Sequence, residues 1–286
     1  MQLPYLTEER IQHFIQGALA EDVGEGDHSS LASVPATITS KARLLIKDNG
    51  IIAGVHLAEK IFHAVDPLLR ITLFKKDGDI IQKGEVGFEV KGPARSILTA
   101  ERLVLNCMQR MSGIATYTHR LSEMIKHTKA KLMDTRKTTP NFRLMEKWAV
   151  AIGGGINHRF ALYDMIMLKD NHVDFAGGIR AAIENTKNYL NTTGKKLRIE
   201  IETRSLEEVK EVLQVGGVDV IMLDNMSPEI MRQAVALINQ RYKTEASGGI
   251  TEANLKTVAE CGVDYISIGA LTHSVKSLDL SLKAFN

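Results

Sequence analysis

Val218-Asp219-Val220-Ile221-Met222-Leu223-Asp224-Asn225 is a short apolar run that ends in polar side chains, and this design recurs through the second half of the chain. Leu132-Met133 leads to Asp134 and Arg136, residues 165–168 to Lys169 and Asp170, residues 197–201 to Glu202, residues 243–246 to Ser247, and residues 265–268 to Gly269. Helical patterns separate the runs, so the segment reads as repeated β-then-α units, the signature of a parallel sheet in an α/β protein. Six such units are fewer than the eight that close a standard β/α barrel, which leaves an incomplete barrel or an open sheet. The polar residues decide for the barrel, because chemistry gathered from many strand ends at one mouth is how barrels build a site.

Upstream the pattern changes. Thr7 followed by Ile11, Phe14, Ile15, Ala18 and Leu19 at helical spacing predicts a capped amphipathic helix over 7–20. Residues 41–47 and 51–53 read as strands around an Asn49-Gly50 hairpin turn, and 57–65 as a helix. Strands follow at 70–74, 80–81 and 86–90, separated by Asp77-Gly78 and Lys83-Gly84 turns. The rhythm around Asp77-Gly78 also occurs in biotinyl and lipoyl carrier hairpins, but the Met-Lys-Met modification site is missing. Residues 21–27 lack the spacing of a calcium loop and read as a capped loop. From 97 to 126 one apolar face persists, with Ser112-Gly113 as either a break or a close-packing point. The expected division is an N-terminal α+β sandwich domain over 1–113, with 272–286 returning to it, and a barrel over 114–271.

A chain of 286 residues with 44% apolar and 24% charged residues buries a proper core. A formal charge of +2 argues against a nucleic-acid binder working by phosphate neutralisation, and favours small anionic ligands. No apolar segment approaches the roughly 18 residues of a membrane span, and the acidic N-terminal stretch containing Glu8 and Glu9 does not read as a signal peptide. Cys107 and Cys261 are far apart, each in an apolar helical context, and read as two buried thiols of a cytoplasmic protein.

The cations are concentrated. Arg136, Lys137, His158, Arg159 and Lys169 fall within under forty residues, at the ends of apolar runs or just after the Gly153-Gly154-Gly155 loop. Any one alone could be a solvated surface charge; together they suit a ligand carrying several negative charges. Such a ligand is a phosphate, a polycarboxylate or both, and because arginine grips a carboxylate bidentately, Arg136 and Arg159 are the natural clamps. Ile199-Glu200-Ile201-Glu202 alternates with period two, so both glutamates face one side of the strand. A structural ion pair, with Lys169 or Arg136 as partner, is the plain alternative for Glu200. Glu202 and Asp224, near the ends of successive strands, offer hard oxygen ligands for Mg²⁺ arriving with a phosphorylated substrate. Ser247-Gly248-Gly249 and Gly269-Ala270 follow the last two strands, where barrels hold a phosphate on free backbone N–H groups. Trp148 and the methionines of 108–124 read as core.

The ordered series resembles the quinolinate phosphoribosyltransferase family, the decarboxylating nicotinate-nucleotide pyrophosphorylases. It comprises Glu21–Asp27 in sequence order, Leu98-Thr99-Ala100-Glu101-Arg102, Leu105-Asn106, residues 112–116, the basic stretch from Asp134 through Thr135 to Pro140, residues 153–159, Lys169-Asp170-Asn171-His172, residues 221–225, Ser247-Gly248-Gly249 and residues 269–274. The resemblance implies an irregular barrel of about seven strands. It implies an enzyme of NAD biosynthesis that converts quinolinate and phosphoribosyl pyrophosphate, with Mg²⁺, to nicotinate mononucleotide, pyrophosphate and CO₂. It also implies a quinolinate site of Arg102, Thr135, Arg136, Lys137, His158, Arg159 and Lys169, a phosphate site of Ser247, Gly248, Gly249, Gly269 and Ala270, and catalytic roles for Lys137, Lys169, Glu202 and Asp224. Arg102 would reach a neighbouring subunit's site, implying a homodimer that could assemble further into a hexamer. His273, in Leu271-Thr272-His273-Ser274, matches the family pattern or only caps a strand end.

Two other functions fit a barrel of this kind. Lys169 at a strand end could serve as the Schiff-base lysine of an aldolase or lyase, which requires a depressed pKa. A non-catalytic paralogue could keep the scaffold and bind a phosphorylated metabolite. No Cys-His or Ser-His-Asp arrangement has local support for acyl transfer.

Overall fold

The computed structural model describes residues 3–285, which form two compact units. The first comprises the described residues up to 119, residues 137–154 and those from 270 onward; the second comprises 120–136 and 155–269.

In the first unit, α1 (Glu8–Val23) starts where the Thr7 hydroxyl accepts the Arg10 N–H, and it buries Ile11 and Ile15. Asp27 caps α2 (His28–Ser33) by accepting the Ser30 N–H, so the acidic loop is the capped turn expected. There follow β1 (Thr39–Ile46), β2 (Gly50–Ile51), α3 (Val55–Val65), β3 (Arg70–Leu73), β4 (Ile80–Ile81), β5 (Val86–Pro93) and the long helix α4 (Ala94–Ile125). The Asn49-Gly50 hairpin does not form. β1 pairs with β5, and β2 pairs with β4. Asn49 accepts the Lys83 N–H (2.8 Å), and Gly50 serves close packing: a Cβ there would lie 2.4 Å from Thr116 Oγ1. Ser112-Gly113 does not break α4. A Cβ on Gly113 would stand 2.3 Å from the Lys276 carbonyl oxygen, so the small residue is there for contact. The helix α5 (Arg143–Ile152) buries Trp148, whose ring meets the exposed His56 edge-on.

The second unit holds the repeated units. They are β6 (Lys131–Met133), β7 (Ile166–Leu168), α6 (Asp170–Ala176), α7 (Ile179–Thr193), β8 (Ile199–Thr203), α8 (Leu206–Val215), β9 (Val220–Asp224), α9 (Pro228–Ile238), β10 (Lys243–Ser247), α10 (Glu252–Ala259) and β11 (Tyr265–Ser267). All six strands are parallel, in the order β6-β11-β10-β9-β8-β7, a partial barrel. Ile156 adds a single parallel bridge to Met133, and among the described residues that bridge is all that represents a seventh strand. Val220, Ile221, Met222 and Leu223 are all buried, as expected of a parallel strand covered on both faces. Ser205 and Ser227 cap α8 and α9, which fixes where each helix leaves its strand end.

The chain then returns to the first unit through the single turn α11 (Ala270–His273) and β12 (Leu280–Phe285), which lies antiparallel to β1. The resulting sheet has the order β12-β1-β5-β3. His273 is exposed, with Nδ1 2.6 Å from Ser274 Oγ.

Candidate active site

Strand register brings the acids of the second unit together. Leu168 pairs with Ile201, Thr203 with Leu223 and Asp224 with Ser247, so Lys169, Glu202, Asp224 and Ser247 leave neighbouring strands at one level. Glu202 accepts the Asp170 N–H at the start of α6 (3.3 Å). Burial pushes its carboxyl up to about 6, and the adjacent charge of Asp224 pushes the same way; the Asp170 N–H opposes both. Two acids held this close form a donor set that a divalent cation would relieve. Asn225 Nδ2 donates to Asp224 Oδ2 (2.6 Å), and Asn225 adopts the left-handed conformation (φ 52°). Gly248, at φ +85°, leaves room for that amide: a Cβ there would lie 2.3 Å from Asn225 Oδ1. Thr251, at the start of α10, donates its backbone N–H to Asn254 (2.8 Å).

A second layer lies deeper. Asp134, fully buried, accepts the His158 backbone N–H (2.9 Å) and the Asn157 side-chain amide (2.6 Å). This pins the segment after the triple-glycine loop against the end of β6. His158 Nε2 lies 2.9 Å from Glu200 Oε2 and 3.6 Å from Glu245 Oε2, and its Nδ1 accepts the Arg159 backbone N–H (2.7 Å). Glu200 thus has His158 as its near partner, where the sequence suggested Lys169 or Arg136. Arg159 is 9% exposed and donates from Nη1 to the Met165 carbonyl (3.2 Å). Burial draws its guanidinium below the usual arginine value, and the Arg136 charge adds to the effect. Two cations that repel across a half-buried space are what an incoming dianion would stabilise.

The remaining expected residues stand as follows. Lys169 is exposed, and its backbone N–H donates to His172 Nδ1 (2.9 Å). Thr135 and Arg136 are half-buried, as are Gly248 and Gly269. Arg102, Lys137 and Ala270 belong to the first unit: Arg102 is exposed on α4, Ala270 opens α11, and the exposed Lys137 accepts at its carbonyl from Thr272 Oγ1 (2.7 Å). The residue overlooked was Glu245. Ser247 was placed at a strand end, and period two puts Glu245 on the same face, so the signal was present.

The chain matches the family model for the quinolinate phosphoribosyl transferase C-terminal domain over residues 114–283 and the N-terminal domain model over 27–112. The chain belongs to the quinolinate phosphoribosyltransferase family. It is 47% identical over 281 residues to a chloroplastic nicotinate-nucleotide pyrophosphorylase (carboxylating) of Oryza sativa subsp. japonica, covering 93% of this chain and 75% of that one. A probable nicotinate-nucleotide pyrophosphorylase (carboxylating) of Bacillus subtilis is 45% identical over 262 residues, covering 92% and 89%. Among solved structures, NadC from Streptococcus pyogenes superposes with a TM-score of 0.92 at 40% identity, covering 99% of this chain and all of that one. Members of the quinolinate phosphoribosyltransferase family thus match it along nearly its whole length.

Proposed function

We propose that this chain transfers the phosphoribosyl group of phosphoribosyl pyrophosphate to the ring nitrogen of quinolinate and releases pyrophosphate and CO₂, leaving nicotinate mononucleotide for NAD biosynthesis. The observation that carries this reading is one partial barrel bearing both a pair of buried or half-buried arginines, Arg136 and Arg159, and a strained acid pair, Glu202 and Asp224. The arginines, with Thr135, His158 and Lys169, hold the flat dicarboxylate. Ser247, Gly248, Gly249, Gly269 and Ala270 hold the 5-phosphate on backbone N–H groups. Arg102 serves a neighbouring subunit's site in a homodimer. The free, buried Cys107 and Cys261 suit a reducing compartment, the cytoplasm in this reading.

As pyrophosphate departs, positive charge grows on the ribose carbon, and the negative charge of Glu202 and Asp224 stabilises it. Lys137 and Lys169 offset the charge of the leaving group. Mg²⁺ held by Glu202 and Asp224 would neutralise substrate phosphate oxygens. Once bonded to ribose, the ring nitrogen is cationic; the bond to the adjacent carboxylate breaks, its electron pair stays on the ring carbon and is protonated, and CO₂ leaves. Lys169 is open to solvent, whereas an imine-forming lysine needs desolvation or nearby cations to free its electron pair, and this exposure disfavours the aldolase reading.

The test supplies purified protein with quinolinate labelled in the 2-carboxyl group, phosphoribosyl pyrophosphate and Mg²⁺. Nicotinate mononucleotide and labelled CO₂ are expected in equal amounts; folded protein that forms neither rejects the reading. Gly248→Ala is expected to lower kcat/KM for phosphoribosyl pyrophosphate at least about tenfold, the equivalent of about 1.4 kcal/mol. The added Cβ displaces the Asn225 amide that holds Asp224. Unchanged kinetics would show that Asn225 does not position Asp224.

A further inference from the structure

Two buried acids of the second unit lie below the proposed chemistry. Glu245 is 0% exposed and Glu200 1%, and their carboxylate oxygens and His158 Nε2 lie within 4.8 Å of one another. Apart from the Ser267 hydroxyl near Glu245, no donor is well placed for either oxygen of Glu245 or for Oε1 of Glu200. An ionised carboxylate buried without a donor is costly, and two side by side cost more. A neutral acid escapes that cost, because its own O–H becomes the donor its neighbour lacks.

By residue type alone, one histidine and two glutamates could hold a metal ion. The ring decides otherwise. A metal-bound histidine donates its second ring N–H to an acceptor, but here Nδ1 accepts the Arg159 backbone N–H (2.7 Å). The ring proton therefore sits on Nε2, the atom facing the two carboxyl groups, and no lone pair is left there for a cation.

We propose that Glu245 is a positioning residue of the quinolinate site: packed beside Glu200 against the Nε2 edge of His158, it fixes with Glu200 the tautomer and tilt of the ring. Through the His158 Nδ1 contact the pair also sets the backbone that carries Arg159. The proposal rests on the reading that Arg159 holds a quinolinate carboxylate. Burial pushes the Glu245 carboxyl well above its ordinary value and the Glu200 charge pushes it further; the Ser267 hydroxyl pulls the other way with smaller effect. Asp134 adds to the support by accepting the His158 backbone N–H (2.9 Å).

The experiment compares Glu245→Leu with Glu245→Gln, whose amide can donate to Glu200 as the neutral acid does. Glu245→Leu is expected to weaken quinolinate binding, measured by calorimetry without the second substrate, at least about tenfold, while KM for phosphoribosyl pyrophosphate moves less than about twofold. Glu245→Gln is expected to return affinity to within about threefold of the native value. Nitrogen-15 spectra of histidine-labelled native protein, with His158 assigned by loss of its signal in His158→Asn, are expected to show the Nε2–H tautomer. A Gln variant as weak as the Leu variant, a Leu variant with native affinity, or a stoichiometric metal ion in the purified protein that is lost in His158→Asn each overturns the proposal. If the Leu variant does not fold, the Gln variant and the tautomer still decide. An Nδ1–H ring in protein that binds quinolinate sinks this proposal alone, whereas native protein that does not bind quinolinate sinks the reading of the site and this proposal with it.

Discussion

Arg159→Ala is expected to raise the KM for quinolinate about a thousandfold while leaving that for phosphoribosyl pyrophosphate within about threefold. The guanidinium is 9% exposed and lies close enough to Arg136 for the two charges to repel. Removing one cation leaves a desolvated ligand carboxylate without its partner, and losses of this kind run to about 4 kcal/mol, or about a thousandfold. Arg159 also donates to the Met165 carbonyl, so some loss of stability accompanies the change. Arg159→Lys separates charge from shape: it keeps the cation but cannot grip a carboxylate bidentately, and an intermediate loss is expected. Steady-state kinetics with each substrate varied in turn give the answer. A quinolinate KM that rises less than tenfold in the alanine variant would remove Arg159 from the clamp.

Glu202→Gln couples a loss of rate to a gain of stability. The substitution removes negative charge from beside the developing ribose cation, and kcat is expected to fall about 100- to 1000-fold, the scale on which a preorganised charge acts. In the folded protein burial and Asp224 push the Glu202 carboxyl up to about 6 from an ordinary 4.5. The folded state therefore binds this proton more tightly than the unfolded chain, so full stability is present below about pH 4.5 and declines as the pH climbs through 6. Glutamine carries no such charge. Because Glu202 is only half-buried, solvent screening reduces the gain to about 1 kcal/mol, or about 2–4 °C in Tm at pH 7.5. Near pH 4.5 the two melting temperatures should coincide. Thermal unfolding in chelator at both pH values measures this, and a variant less stable than the native protein at pH 7.5 would show that Glu202 has a stabilising partner there.

Much of this architecture could be read in the chain before its structure. The runs ending at Asp134, Lys169, Glu202, Asp224, Ser247 and Gly269 declared six parallel strands, most clearly where, as in Val220–Leu223, a strand covered on both faces is apolar throughout. The Asn49-Gly50 turn was misread because the signal is local, while the pairing of β1 with β5 is decided by partners more than forty residues away. Gly50 is explained by Thr116 and Leu278, which an added Cβ would meet at 2.4 and 2.7 Å, contacts no local pattern reveals. At the site, side chains at strand ends were legible, and inside strands only Glu200 was, through the strict alternation of Ile199–Glu202. Glu202 stood out by ending a run, whereas Glu245, inside Lys243–Ser247, resembled any polar residue of a mixed strand. The ring orientation of His158 depends on a backbone N–H one residue on and two carboxyl groups from distant strands, and so appears only in three dimensions.

The pairing of β12 with β1 has a consequence for synthesis. Lys41 lies opposite Phe285 and Ile46 opposite Leu280, so one margin of the first sheet waits for chain made more than two hundred residues later. The second unit's residues, 120–136 and 155–269, all emerge from the ribosome before that strand exists. Until it arrives, β1 carries unpaired amides and carbonyls along one side, an edge open to pairing with other chains. The nascent polypeptide therefore spends the whole interval of barrel synthesis with its earliest sheet unfinished, which is when a chaperone would have most to shield.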